Sequence, residues 1–206
     1  MLYDITPPIT PNMPVWPGDT PLSREVLLDM SKGDNLTLST LHATVHLGAH
    51  ADGPNHYGVD GRSIDQQDLK YYLGPCQVIR VAAKRAVRIS PDQITTTVSA
   101  PRVLLSTGTY PDPSMFNEDF AGLATDLVDW LHERGVILVG VDTPSVDLFS
   151  SKDLPAHKRI LAQDMAILEG LVLTHVPEGE YELIALPLPL VGFDASPVRA
   201  VLRNRV

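Results

Sequence analysis

Three histidines and one aspartate lie within an eleven-residue stretch of the chain, HLGAHADGPNH. His46, His50, Asp52 and His56 all occupy even positions, and two glycines and a proline lie among them. Two imidazoles and a carboxylate form a ligand set that suits zinc, manganese or iron better than magnesium or calcium. The stretch therefore predicts a metal site, and a solvated, histidine-rich surface loop is the structural alternative.

The spacing of this stretch requires a bend in the backbone. In an extended chain the side chains of His46, His50 and Asp52 would project from one face, because successive residues alternate. Four extended residues would separate the backbones of His46 and His50 by about 13 Å. That distance is near the limit for two imidazoles that each lie about 2.0–2.1 Å from one ion. Gly48 lies between them and is the residue that permits the chain to bend.

Two further regions contain residues that could complete a site. His157 and Glu169 are twelve residues apart in LPAHKRILAQDMAILEG. Taken alone, each is more readily explained as a residue of a helix or turn. Trp16 lies in PVWPGD, between Pro14 and Pro17, and this context predicts a loop rather than a packed core position.

Taken together, these segments resemble the metal-dependent cyclase family, which contains amide hydrolases. The family signature His-x-Gly-Thr-His-x-Asp-x-Pro-x-His reads here as residues 46–56, with Ala49 in place of the threonine. The missing hydroxyl removes a potential hydrogen bond behind the ligands, so metal affinity is the property that this departure puts in question. Within the family, the chain length, the VWPGDTP segment and the downstream His157 and Glu169 resemble bacterial kynurenine formamidases (arylformamidases).

The resemblance implies a centre of two divalent metal ions, most commonly Zn²⁺, with Mn²⁺ as an alternative. On this chain, His46, His50 and Asp52 would hold the first ion, and His157 would hold the second. Asp52 and Glu169 would contact both ions. Two bridging carboxylates would offset a large part of the charge that two divalent ions bring.

The resemblance also implies that His56 is the acid/base and that Trp16 lines the substrate pocket. The reaction would be hydrolysis of N-formyl-L-kynurenine to L-kynurenine and formate, a step of tryptophan degradation. A metal ion lowers the pKa of bound water from about 15.7 to about 7, which provides a nucleophile at neutral pH. The arylamine leaving group needs a proton, and histidine, with an ordinary pKa of about 6.5, can donate one. The indole of Trp16 can stack on the aminophenyl ketone of the substrate.

Two other functions remain open from the sequence. One is a different hydrolase of the same family, acting on an isatin-type amide. The other is a non-catalytic metal-binding protein that carries the motif. His56 argues against the second alternative. The resemblance gives it no role as a ligand, so a protein that only binds metal would have no need of this histidine.

The composition limits the partners and the compartment. The chain has 206 residues, a formal net charge of −9 and 44% hydrophobic residues, which predicts one globular domain over residues 1–206 and no nucleic-acid partner. Cys76 is the only cysteine, so no intramolecular disulfide can form and a reducing, cytoplasmic location is expected. The segment MLYDITPPITP does not resemble a signal peptide, and LIALPLPLVGF is shorter than the roughly 20 residues that span a bilayer. The expected partners are a small-molecule substrate and, from the resemblance, a second copy in a homodimer.

The elements that must position these residues follow from hydrophobic periodicity. The clearest helix is predicted over Asp119–Arg134, and VILVGV after it reads as a strand buried on both faces, so that the chain is predicted to be a mixed α/β domain. The resemblance implies a swivelling β/α/β fold with a mixed sheet and packed helices. Shorter helices are predicted at Ile64–Leu73, Pro91–Thr97, Pro155–Leu161 and Ser196–Asn204. Strands are predicted at Leu2–Ile5, Leu36–His46, Gln77–Ala82, Val103–Leu105, Val136–Val141 and Glu182–Leu186.

Overall fold

The computed structural model of the chain describes residues 1–205. Nine of its strands form one mixed sheet. In spatial order they are β1 (Leu2–Asp4), β13 (Val201–Asn204), β11 (Gly179–Ile184), β5 (Leu73–Arg80), β7 (Arg102–Ser106), β9 (Leu138–Val141), β10 (Ala166–Glu169), β4 (His50–Asp52) and β12 (Ala195–Pro197). Two smaller sheets pair β2 (Ser23–Leu28) with β3 (Leu38–His42) and β6 (Arg88–Ile89) with β8 (Gly122–Leu123).

The centre of the main sheet is parallel and fully buried. β5, β7, β9 and β10 run parallel to one another, and every residue of β7, β9 and β10 is buried. Strands covered on both faces read as continuous apolar runs, which explains RVLLS and LVGV. Val103 and Leu105 face one apolar core, whereas Leu104 between them faces the other. The alternation of side chains along a strand therefore divides the molecule into two packed layers.

Two α-helices cover one face of this sheet. They are α1 (Thr125–His132) and α2 (Pro155–Ala162). Leu127 and Leu131 of α1 and Ile160 of α2 pack in the same core as the strand residues of that face. The opposite face packs in a second apolar core, which is formed by residues such as Ile5, Tyr72, Leu168, Leu183 and Leu202.

The fold class predicted from the sequence is confirmed. The chain is a mixed α/β domain with one large sheet and packed helices, and the helix predicted at Pro155–Leu161 is α2. β1, β5, β7, β9 and β11 lie where strands were predicted, with ends shifted by a few residues. No helix within residues 1–205 is long and apolar enough to cross a membrane.

Three predicted elements differ from the structure. The helix predicted from Asp119 begins only at Thr125, because residues 122–123 pair with β6 as strand β8. The strand predicted over Leu36–His46 covers only Leu38–His42, so His46 lies beyond its end. The helix predicted over Ser196–Asn204 is wrong. Pairing of β12 with β4, and of β13 with β1 and β11, outweighs the helix-start signal of its serine and proline.

Two more predicted helices are replaced by short 3₁₀ turns. The segment 64–73 contains the turns Ile64–Gln66 and Leu69–Tyr71 and then enters β5, while the segment 91–97 contains only Pro91–Gln93. A turn of three residues buries too little apolar surface to extend into a helix. Strands β2, β4, β6 and β10 were not predicted from the sequence, and β4 and β10 carry much of the candidate site.

Candidate metal centre

The site is built on two antiparallel strands, β4 and β10. Their register places Glu169 directly opposite His50, and Leu168 opposite Ala51. Because side chains alternate along a strand, His50 and Asp52 share one face of β4. The strand pairing alone therefore brings three buried polar side chains together, although Glu169 is far from the other two in the sequence.

The predicted bend at Gly48 is confirmed. Its φ angle is +59°, in the left-handed region, and it lies between His46 and the start of β4. The ring centroids of His46 and His50 are 5.0 Å apart, much closer than an extended chain would allow. Nδ1 of His50 lies 2.9 Å from the carbonyl oxygen of Gly48 and donates to it, which leaves Nε2 with a free lone pair.

Two carboxylates lie between two imidazoles at the centre of the site. Nε2 of His50 is 3.5 Å from Oδ1 of Asp52 and 3.3 Å from Oε2 of Glu169. Nε2 of His157, which α2 contributes, is 3.5 Å from both Oδ2 of Asp52 and Oε1 of Glu169. Each carboxylate therefore turns one oxygen towards each imidazole. The arrangement therefore offers two positions for cations, one beside each imidazole, and both carboxylates face both positions.

These separations fit a metal centre better than a hydrogen-bonded network. An N–H···O hydrogen bond spans about 2.7–3.2 Å, whereas ligand atoms about 2.0–2.2 Å from one tetrahedral ion lie about 3.3–3.6 Å from one another. Nε2 of His50 and both carboxylate oxygens of Asp52 are buried and make no hydrogen bond within residues 1–205. Buried polar atoms without partners are costly. A divalent ion at either position would satisfy them, so the residues fit the group that the family implies.

The pKa shifts have the same physical origin. Burial acts to raise the pKa of Asp52, but the imidazoles of His157 and His46 hold it well below its ordinary value. Burial also acts to lower the pKa of His46, which Asp52 and the charges around it nevertheless raise to about 9. The pKa of His157 is raised well above its ordinary value by Asp147, Asp52 and Glu169, against the effect of burial. The buried carboxylates thus demand positive charge, which bound metal ions would supply.

His46 and His56 lie on the solvent side of the centre. Nδ1 of His46 is 3.2 Å from Oδ1 of Asp52, and its Nε2 is 3.0 Å from Oδ2 of Asp194. His56 stands at the end of the 3₁₀ turn Pro54–His56, its ring centroid 4.2 Å from that of His46 and its side chain 34% exposed. One nitrogen of His56, together with donors of His46 and Asp52, forms a group compact enough to hold an ion. His56 is therefore near enough to the centre to serve either as a ligand or as an acid.

Two residues at the site were missed by the sequence reading. Asp194, just before β12, contacts His46 and lies 3.4 Å from Nδ1 of His56. Asp147 is 2.8 Å from Nδ1 of His157. Asp147 follows β9 in GVDTPSVD, a position where α/β folds place functional loops, so that signal was present. Asp194 had no local signal, because only the pairing of β12 with β4 brings it to the site.

Other side chains of these segments have structural roles. Asp142 accepts hydrogen bonds from the backbone N–H groups of Thr107 and Gly108 and from the hydroxyl of Thr107, so it holds two loops together. The side chain of Ala49, the departure from the family signature, is fully buried in the apolar core. A methyl group is therefore well accommodated at that position.

A cavity of about 560 Å³ opens above the centre, within the usual size range of small-molecule sites. Trp16 lies in its wall and is 37% exposed, and the loop predicted around it is confirmed. The indole packs against Phe116 and Phe149, with ring centroids 5.7 and 5.0 Å away. The candidate ligands and acid form the other side of the cavity: His46, His50, His56, His157 and Glu169.

Residues 3–148 of the chain match the family described as "Putative cyclase", and this range contains the whole motif of residues 46–56. The chain belongs to the cyclase family. Residues 157 and 169 lie outside the matched range. They are covered by the comparison with solved structures.

Solved structures of the cyclase fold align over nearly the whole chain. The first is a potential metal-dependent hydrolase with cyclase activity, 29% identical, with a TM-score of 0.85 over 100% of this chain and 98% of the other. The second is the predicted metal-dependent hydrolase from Bacillus stearothermophilus, 30% identical, with a TM-score of 0.82 over 98% and 97%. An isatin hydrolase bound to the product analogue thioisatinate has a TM-score of 0.84 over 98% and 91%, at 21% identity, which shows likeness of fold alone.

Proposed function

We propose that this cyclase-family chain is a metal-dependent aryl amide hydrolase, and specifically a kynurenine formamidase that converts N-formyl-L-kynurenine to L-kynurenine and formate. One observation carries the proposal. Asp52 and Glu169 lie between His50 and His157 at distances suited to shared metal ions, directly beneath a cavity with an aromatic wall. The site thus combines a means of activating water with a surface for an aryl group.

The proposed ligands divide between two ions, for which Zn²⁺ suits the imidazole and carboxylate donors. His46, His50 and Asp52 would hold the first ion and His157 the second, while Asp52 and Glu169, which face both imidazoles, would contribute to both. When bound, such ions lower the pKa of water and polarise the amide carbonyl. The chain supplies two carboxylates in a buried setting, where ion–ligand attraction is strong.

His56 is the proposed acid for the leaving group. The departing aryl nitrogen is a poor anion, and a proton delivered to it allows the carbon–nitrogen bond to break. Nδ1 of His56 faces Asp194, so Nε2 is the atom that would carry the proton. The half-exposed ring can exchange that proton with solvent between turnovers.

Trp16 and the aromatic rings around it are proposed to hold the aryl group. Stacked or edge-to-face aromatic pairs contribute about 0.5–1.5 kcal/mol beyond the burial of apolar area. Phe116 and Phe149 pack against the indole and hold its orientation. The wall therefore sets the position of the substrate relative to His56.

The test is formate release from N-formyl-L-kynurenine, with metal content measured on the same sample. We expect turnover together with two divalent ions per chain. A preparation that binds two ions but hydrolyses no aryl formamide would favour a non-catalytic metal-binding function instead.

An isatin-type amide is the second candidate substrate. Among the cavity-lining residues within the described chain there is no lysine or arginine, and Asp19 is the acidic side chain at the outer loop. Isatin is uncharged, whereas N-formyl-L-kynurenine carries a carboxylate that neither lysine nor arginine faces among these lining residues. Comparing kcat/KM for the two substrates decides between them, and a ratio in favour of isatin overturns the formamidase assignment.

We also propose that the chain works as a homodimer, joined through the β2–β3 hairpin. Most residues of both strands are exposed. Because a two-stranded ribbon alone is at best marginally stable in water, a partner surface that covers the hairpin would stabilise it. Residues 23–42 contain two basic and three acidic residues, so the net charge of this region is close to zero. Two copies that meet here would experience little of the electrostatic repulsion expected between chains of net charge −9. Light scattering during size-exclusion chromatography should give twice the mass of the chain, 22.5 kDa. The exposed apolar side chains of the hairpin region are Val26, Leu27, Met30, Leu36, Leu38 and Leu41.

A further inference from the structure

Asp147 is a fully buried carboxylate at the start of the loop that leads to α2. Its Oδ2 lies 2.8 Å from Nδ1 of His157 and accepts the backbone N–H of the same residue at 3.1 Å. Its Oδ1 accepts the backbone N–H of Ala156 at 3.2 Å. One carboxylate therefore caps the first turn of α2 and also holds the imidazole that this turn presents. Both the backbone and the ring of His157 are fixed to the same group.

Arg88 neutralises this carboxylate from the other side. Its Nη1 lies 2.6 Å from Oδ1 of Asp147 and also donates to the carbonyl oxygen of Leu123 at 2.8 Å. Its Nη2 donates to the hydroxyl of Ser151 at 3.1 Å. A buried carboxylate without a partner would be costly, so the guanidinium is what allows Asp147 to stay ionised behind His157. The fork of Arg88 in turn ties β6 to the loop after β9.

The hydrogen bond from Nδ1 decides which ring nitrogen of His157 is free. Because Asp147 accepts from Nδ1, Nε2 is the nitrogen that presents its lone pair to the space between Asp52 and Glu169. A carboxylate behind an imidazole also makes the ring a stronger donor to a metal than a neutral acceptor does.

The corresponding support of His50 is different in kind. Its Nδ1 donates to the carbonyl oxygen of Gly48, a neutral acceptor, and this bond spans only two residues. We propose that Asp147 and Arg88 form a positioning pair for His157, and that the two metal positions consequently differ: the one at His157 depends on this pair and the one at His50 does not. The inference rests on the proposed metal centre. Asp147 acts through His157 and is a positioning residue, not a ligand.

The experiment is a titration of the metal-free chain with Zn²⁺ against a chromophoric chelator, in the wild type and in Asp147→Asn. In the variant, the amide NH2 group of asparagine, which donates hydrogen bonds, replaces a carboxylate oxygen that only accepted them. The contacts around this side chain are therefore disrupted. We expect the wild type to bind two Zn²⁺, and the variant to bind one with unchanged affinity and the other about 10–100-fold more weakly. Metal affinity is read without turnover, so a loss of activity alone does not count as support.

Asp129→Asn is the matched control. Asp129 on α1 accepts from Arg159 and Gln163 near the far end of α2, so its loss loosens the same helix without touching His157. We expect a lower Tm with both Zn²⁺ affinities unchanged. If Asp129→Asn weakened one Zn²⁺ as much as Asp147→Asn does, the effect would be helix stability, and the positioning role would be wrong.

Arg88→Lys provides a second variant if Asp147→Asn does not fold. A single ammonium keeps the charge but cannot reproduce the fork, so we expect a smaller loss confined to the same Zn²⁺. Unchanged affinity at both positions, or an equal loss at both, overturns the positioning pair while leaving the metal centre intact. A wild-type chain that binds no Zn²⁺ overturns the proposed function as well, and the two failures are thus distinguished.

Discussion

The two sides of the candidate metal centre are built in opposite ways. The strand side, residues 46–56, lies in one continuous stretch, and its turns depend on Gly48 and on the 3₁₀ turn Pro54–His56. The helix side takes His157 from α2 and Glu169 from β10, and a charged network stands behind it. Local backbone conformation organises the first side, whereas packing between distant elements organises the second.

The largest expected effect comes from the residue that the two sides share. Asp52→Ala removes the carboxylate that faces both His50 and His157, so we expect loss of both metal ions and a fall in kcat/KM of at least about 10³-fold. Metal analysis and formate release on one sample measure both. Asp60→Ala, an exposed aspartate nearby, is the control and should change neither. If Asp52→Ala retained one tightly bound ion, the two sides would be independent.

His56→Ala tests whether the strand side separates metal binding from proton transfer. We expect both metal ions to remain and kcat to fall about 10²–10⁴-fold, the usual contribution of a general acid. His42→Ala, an exposed histidine of β3, should leave kcat unchanged. If the His56 variant lost a metal ion, His56 would be a ligand, as its closeness to His46 and Asp52 also permits.

Gly170→Ala tests the contact between the two sides. A Cβ at this position would lie 2.2 Å from the carbonyl oxygen of Gly48, the same oxygen that orients His50. Gly108 has nearly the same φ, +65° against +66°, and nothing lies within 4 Å of a Cβ there. We expect Gly108→Ala to lower the free energy of unfolding by about 1–2 kcal/mol. Gly170→Ala should lower the free energy of unfolding by about 1–3 kcal/mol more than Gly108→Ala does, because the added Cβ overpacks the contact with Gly48.

Denaturation of both metal-free glycine variants in urea measures this difference. Equal losses of stability would show that the backbone around Gly48 and Gly170 shifts to accommodate the added Cβ without a cost in free energy. The helix and strand sides would then be less tightly joined than the structure indicates.

The smallest effect is expected at the cavity wall, which belongs to neither side. Trp16→Leu keeps an apolar side chain but removes the ring, so KM should rise by about tenfold while kcat and metal content stay nearly constant. Trp130→Leu, on α1 beneath Arg134, is the control and should leave KM unchanged. A fall in kcat without a change in KM would place Trp16 in the reaction step instead of substrate binding.

The same contrast explains what the sequence could predict. The motif of residues 46–56 could be read directly, including the bend at Gly48, because its ligand spacing is local. His157 and Glu169 could be suggested only through the family resemblance, since periodicity gave them no distinct signal. Asp194 was missed because the pairing of β12 with β4 places it at the site. Together with the pairing of β13, that pairing also overturned the helix predicted over residues 196–204.

The pairing of β4 has a consequence for the order in which the molecule is completed. His50 meets Glu169 across about 120 residues of chain, and β12, from near the end of the sequence, closes the outer edge of the same strand. Contacts of such long range form late, because the entropy of closing large loops opposes them. The candidate ligands are therefore brought together only after β10 and β12 are available to pair with β4. Metal ions would therefore bind to a finished fold, and their supply would govern how long that fold survives, not the route by which it forms.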